Sequence, residues 1–419
     1  MRGAKAHADG VGVNSARNSP LEVLRVFLKL GLTSFGGPIA HLGYFRDEFV
    51  VRRAWLEEGA FADLVALCQF LPGPASSQTG FAIGLMRASY LGGLAAWIGF
   101  TLPSAAAMTL FAYGASALKG RTAEGLLHGL KLVAVAVVAQ AVLGMARSLT
   151  PDRPRAAIAV AVVIAMAFTP GSLSQIGAIV FGGLAGLVLC RPEGQEGSAG
   201  ASRERAEEGG GNPAPVSRRI GLACLAVFLA LLGLSFLPVE NASLELIAAV
   251  YRSGALVFGG GHVVLPLLRA AVVAPRWVSD SAFLAGYGAA QAVPGPLFSF
   301  AAYLGAVASA PPGGVLGATL ALVAIFAPGL LALMGALPFW HDLRARQGFR
   351  AAMAGVNAAV VGLLASALYN PVFMSAVQGP ADLAAAATGF AALVAWRAPP
   401  IIVVVLTAIT GAALGAAGR

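Results

Sequence analysis

A Pro-Gly-Pro turn preceded by a glutamine occurs twice in this chain, and each copy closes a longer passage that is itself repeated. The first passage reads Phe35-Gly36-Gly37-Pro38, then Arg46, Trp55 and Gln69-Phe70-Leu71-Pro72-Gly73-Pro74. The second reads Phe258-Gly259-Gly260-Gly261, then Arg269, Trp277 and Gln291-Ala292-Val293-Pro294-Gly295-Pro296. The offset between copies stays at 222 to 223 residues throughout. A register held that long marks a duplication. Glycine and proline at these points interrupt helices, so the fold must accommodate the same broken backbone twice.

Where such a backbone can exist is decided by composition. The chain is 58% hydrophobic and 11% charged, with a mean hydropathy of +0.79, against about 25% charged in soluble domains. Apolar runs recur, among them 93–118, 130–146, 220–237 and 315–337, and runs of roughly 18 residues or more read as membrane spans. The expected fold is an all-α polytopic membrane protein with two homologous repeats, each of five or six spanning or partly spanning helices. Irregular backbone at membrane depth survives only inside protein or beside a watery cavity. In duplicated membrane proteins it marks a transport site between repeats.

Residues 1–20 form a polar tail, 21–190 the first repeat, 191–219 a polar linker and 220–419 the second repeat, which opens with one extra apolar segment at 220–237. Arginines in tail and linker place both on the cytoplasmic side. The extra helix then turns the second repeat over, giving an inverted topology. The net charge of +9 is spread over loops and helix ends, where lipid contact explains it without nucleic acid. Cys68, Cys190 and Cys224 have no metal or disulfide spacing. No cofactor motif, nucleotide-binding loop or catalytic constellation stands out, so an enzyme is not expected.

Two arrangements fit the segment around Pro72-Gly73-Pro74: a re-entrant hairpin, or one spanning helix unwound at its middle. Either way a helix restarts at Ala75, so its free N–H groups and the Ser76 and Ser77 hydroxyls form an end that attracts anions. Phe35-Gly36-Gly37-Pro38 follows the same logic, with Pro38 in a first turn where its missing N–H costs nothing. Cations in apolar surroundings are expensive and mark pathways or pairs. Arg46 and Arg269, at matching positions, rank first as anion ligands, ahead of Lys29 and Lys131, with Arg87 at a helix end. Asp47, Glu48, Glu57 and Glu58 are near enough in sequence to claim Arg46 instead. His41, His262 and Asp63 are the candidates for coupling flux to protons.

Taken together, the Phe27-Leu28-Lys29-Leu30-Gly31 lead-in, both glycine-rich breaks, the Trp55 region and both Pro-Gly-Pro elements resemble the chromate ion transporter family, in its long-chain, two-domain form. That resemblance implies an inner-membrane transporter that exports chromate, coupled to the membrane potential or a proton gradient. Its partners would be chromate or a similar tetrahedral oxyanion and the lipid bilayer, with a homodimer among the assemblies open to it. A dianion leaving an inside-negative cell gains about 4.6 kcal/mol per 100 mV, so export needs no further driver. Sulfate has the same charge and shape.

Overall fold

The computed structural model describes residues 19–117, 120–169, 171–190, 216–258 and 261–416. The tail, most of the linker, Gly259 and Gly260 lie outside the described residues. Within them every regular element is helical.

The first break is made by backbone geometry. Helix α1 (Pro20–Thr33) ends as the Ser34 N–H bonds Leu30 O at 2.8 Å. Gly36 and Gly37 then take φ of +98° and +78°, which side chains resist. Pro38 follows in the first turn of α2 (Gly37–Arg46), which runs on as a π turn, Asp47–Arg52. Beyond Trp55, α3 (Glu58–Phe70) leads to the Pro-Gly-Pro turn, and α4 (Ala75–Ala117) leaves it. Helix α4 folds back on itself: Ala88 and Ser89 leave helical geometry and divide it into arms 75–87 and 90–117. The arms touch backbone to backbone, since a Cβ on Gly92 would lie 2.2 Å from Gly84 O.

Side chains at one end settle which arrangement the Pro-Gly-Pro segment adopts. Arg46 bonds Glu58 at 2.7 Å. Arg53 and Arg87 both reach Glu22, at 3.4 and 3.5 Å, and the Arg87 guanidinium lies 4.9 Å from the Trp55 ring. A chain that sets out at Glu58 is therefore back at the same end by Arg87. This is a re-entrant hairpin, with Pro72-Gly73-Pro74 at its tip. By the same contacts α1 and α2 form a second hairpin, with Phe35-Gly36-Gly37-Pro38 at its tip. Between the two, Phe27 stacks on Phe49 at 4.9 Å and meets Phe45 edge-on at 5.6 Å.

Helices α5 (Arg121–Leu149), α6 (Arg153–Phe168) and α7 (Ser172–Leu189) complete the first repeat, and α8 (Arg218–Leu234) joins it to the second. The order then recurs. Helices α9 (Ala242–Ala255) and α10 (Val264–Val272) flank the second glycine-rich break. Helices α11 (Asp280–Ala290) and α12 (Phe300–Val307) flank the second Pro-Gly-Pro turn. They are followed by α13 (Gly314–Ala336), α14 (Gln347–Ala367), α15 (Pro380–Val394) and α16 (Pro400–Ala416). Even the fastenings repeat: Arg269 bonds Asp280 at 2.7 Å, and Gly305 touches Gly317 as Gly84 touches Gly92.

The second repeat is inverted. The arm 90–117 rises about 1.5 Å per residue and so carries the chain roughly 40 Å from Arg87 towards its far end. There Tyr113 lies against Gly314, whose Cβ would be 3.0 Å from the Tyr113 hydroxyl. Close by in sequence, the Ser309 N–H bonds Trp277 O at 2.9 Å. Trp277 and its hairpins thus hang from the end opposite Trp55. Helix α8 begins beside Asp342, past the end of α13, where Arg218 pairs with it at 3.7 Å. Among the described residues four helical stretches are long and apolar enough, by length and composition, to cross a membrane: Ala75–Ala115, of which the 90–117 arm is the longer unbroken part, Arg121–Leu149, Gly314–Phe339 and Gln347–Ala376.

Candidate functional site

Each Pro-Gly-Pro tip reaches into the other repeat. The Gly73 N–H donates to Val257 O at 2.8 Å, and the Gly295 N–H donates to Ser34 O at 2.9 Å. Ser34 and Val257 hold matching positions, just before the two glycine-rich breaks. The tips also rest on matching helices. A Cβ on Gly73 would lie 2.8 Å from Gly329 Cα, and one on Gly295 would lie 3.0 Å from Ser104 Oγ. Gly329 follows Pro328 and Ser104 follows Pro103, prolines that remove a bond from each helix ladder. Interrupted backbone in one repeat is therefore satisfied by interrupted backbone in the other, as a buried polar chain requires.

The chemistry at this crossing is not symmetric. The first repeat supplies Ser34, His41, Ser76, Ser77, Gln78, Thr101 and Ser104, each at most 2% exposed. The matching positions of the second repeat hold Val257, Val264, Phe298, Ser299, Phe300, Phe326 and Gly329. Gln78 Nε2 donates to Pro72 O at 2.9 Å and to Gly329 O at 2.8 Å, and so pins the first tip to α13. Phe300, in its place, has no such group. His41 Nδ1 lies 3.4 Å from Ser76 Oγ.

A small cleft, partly open to the outside, lies between the first glycine-rich break and the second Pro-Gly-Pro tip. Gly36, Gly37 and Pro38 form one wall and Gln291, Val293, Gly295 and Leu297 another, with His262, Val137 and Gln140 between them. The starts of α2 and of the turn leading to α12 both border it, bringing together the partial positive charge of two helix beginnings. Two glutamine amides and an imidazole add hydrogen-bonding groups. Among the described lining residues there is no carboxylate and no lysine or arginine.

The arrangement gathers Gly36, Gly37, Pro38, Gln291 and Gly295 from the sequence expectation and adds His262 from the proton-coupling set. Phe35 and Phe258 are half-buried beside the breaks, and Pro294 and Pro296 flank the second tip. Pro72, Gly73, Pro74, Ser76 and Ser77 are buried at the other tip, while Gln69 and Asp63 are exposed on α3.

The cations lie elsewhere. Arg46 and Arg269 are held by Glu58 and Asp280 at the bases of the hairpins, and the Arg46 guanidinium keeps the Glu58 carboxyl below its usual range. Lys29 is exposed on α1. Arg252, its counterpart in the repeat, donates to Ser235 O at 2.8 Å and borders a separate cleft. Exposed ion pairs contribute about 0–1 kcal/mol. Arg46→Ala is therefore expected to leave the apparent KM for the transported anion within about twofold of native. A tenfold rise measured in vesicles would return Arg46 to the binding site.

With this geometry in place, comparison with known proteins identifies the lineage. The sequence profile of the chromate transporter family matches residues 21–187 and 244–412, one match per repeat. The chain belongs to the chromate transporter family. A protein named as a chromate transport protein in Pseudomonas aeruginosa is 28% identical over 396 residues, covering 91% of this chain and 89% of that one. A probable chromate transport protein of Synechococcus elongatus is 25% identical, covering 93% and 94%, and a chromate transport protein of Cupriavidus metallidurans is 24% identical, covering 91% and 90%. No solved structure matches this chain. This family member is thus a multi-pass membrane protein whose relatives are named as transport proteins rather than enzymes.

Sequence reading missed Val137 and Gln140 because α5 is unbroken and carries no repeated motif. The available signal was Gln140 itself, an amide in the middle of the apolar run 130–146. Gln78 was similarly silent, since its role depends on a helix 251 residues away.

Proposed function

We propose that this protein is a secondary active transporter that exports chromate across the inner membrane, driven by the membrane potential or the proton gradient. The observation that carries this reading is the cleft at the crossing of the two inverted repeats, bordered by two helix beginnings and free of carboxylates among its described lining. Partial charges and neutral donors suit a tetrahedral dianion. They also hold it less tightly than full cations would, and a transported ion must be released. Rocking of one repeat against the other, with the Gly73–Val257 and Gly295–Ser34 contacts as the points of exchange, would open the cleft to each side in turn. His41, buried beside Ser76, is the proton-coupling candidate at the crossing. Sulfate or another oxyanion is the second reading, because the cleft borders an anion with groups that do not distinguish chromate from sulfate.

Chromate uptake into everted membrane vesicles tests the proposal. Saturable uptake is expected, rising when an outward-directed potential is restored and falling when it is collapsed. Flux no greater than in vesicles lacking the protein would remove chromate as substrate. Sulfate flux in its place would favour the second reading.

A further inference from the structure

Among the described lining residues of the cleft, His262 is the one titratable side chain, and its ring is held from behind. Its Nδ1 lies 2.7 Å from the hydroxyl of Tyr287 on α11. Tyr287 is fully buried, with Phe300 meeting its ring edge-on at 5.8 Å and Phe283 in the same apolar cluster. Among the described residues the hydroxyl's hydrogen-bond partner is Nδ1. Were Nδ1 to carry the imidazole proton, the phenolic hydrogen would be a buried donor facing carbon, an arrangement folded proteins avoid. The phenol therefore donates to Nδ1, and the ring carries its own proton on Nε2. His262 lines the cleft, and Nε2 is the ring nitrogen that Tyr287 does not engage. The matching positions of the first repeat are Ile39 and Val65, so this pair belongs to the second repeat alone, beside the cleft.

We infer that Tyr287 is a positioning residue that fixes His262 as a neutral Nε2–H donor to a tetrahedral oxyanion in the cleft. His262 then recognises the anion and does not carry protons. A second proton on the ring would have to sit on Nδ1 and would turn the Tyr287 hydroxyl towards Phe300. The inference rests on the oxyanion reading proposed above and adds to it the group that orients the substrate.

Two arms test it. In the first, ¹⁵N NMR of histidine-labelled native protein, with His262→Gln identifying the signal, reads the tautomer without any transport assay. The Nε2-protonated form is expected in native protein and a mixture in Tyr287→Phe. The Nδ1-protonated form in native protein would overturn the inference. In the second, chromate flux is measured in vesicles. His262→Ala is expected to raise the apparent KM about tenfold, the scale of one hydrogen bond to a charged group, with little change in maximal rate. His262→Gln, whose amide places an N–H where Nε2 stood, should recover most of that loss, and Tyr287→Phe should fall between. If His262→Gln matches His262→Ala while native protein transports normally, the donor role is wrong. If native protein moves no oxyanion, the reading beneath it fails, and the NMR arm still decides the tautomer.

Discussion

Gly295→Leu is expected to reduce chromate flux to background while leaving the amount of protein in the membrane fraction near native. Gly295 stands at φ +98°, and a residue with a side chain held there costs about 1–3 kcal/mol. A Cβ would also meet Ser104 Oγ at 3.0 Å and Phe100 O at 3.2 Å. These are the atoms against which the second tip rests, beside its bond to Ser34 O. A leucine would wedge the tip off the first repeat and project into the cleft wall. Gly73→Leu repeats the test at the other tip, where φ is +115° and the obstacle is Gly329 Cα at 2.8 Å. Normal flux in both variants would separate the tips from the transport path.

The second large effect is expected from Gln78→Leu. The side chain is fully buried and joins two carbonyls, Pro72 O and Gly329 O, from different repeats. Leucine fills similar space but leaves both acceptors without that donor, at about 1–3 kcal/mol for each unsatisfied group. The thermal unfolding midpoint of purified protein in detergent should fall by several degrees, and flux should fall with it as the first tip loosens. An unchanged midpoint would mean that the tip is held by the Gly73–Val257 bond alone. Because Phe300 occupies the matching position, the second tip lacks this clasp. The two tips are thus unequal in how firmly they are held.

How far these features could be read in advance depends on what kind of residue carries them. The duplication was legible because glycine and proline cannot be exchanged freely at a break, so the pattern persists at a constant offset. The inverted arrangement followed from one extra apolar segment, and α8 occupies that place. The choice between a hairpin and an unwound span was not legible, since both need two half-length helices around Pro-Gly-Pro. It was settled by Glu22, which gathers Arg53 and Arg87 from distant parts of the sequence. Arg46 looked like a ligand because a cation beside an apolar segment needs a partner. The partner is Glu58, one of four nearby carboxylates that sequence alone does not rank. The bonds between tips are made by backbone groups, Gly73 N–H to Val257 O and Gly295 N–H to Ser34 O, and backbone bonds leave no mark in residue identity. Tyr287 and Gln140 sit in uninterrupted helices, where nothing in the local pattern separates a cleft residue from packing.

The measurement that bears most directly on the cleft as the oxyanion path is chemical blockade of Val293→Cys. Val293 lines the cleft and is half-buried, and cysteine is close to valine in size. Chromate flux in vesicles carrying this variant should match native before treatment and fall to background after reaction with a small anionic thiol reagent. Native protein treated in the same way should keep its flux, because Cys68 is buried and Cys190 and Cys224 lie away from the cleft lining. Complete labelling of Val293→Cys with flux unchanged would show that the anion travels by another route.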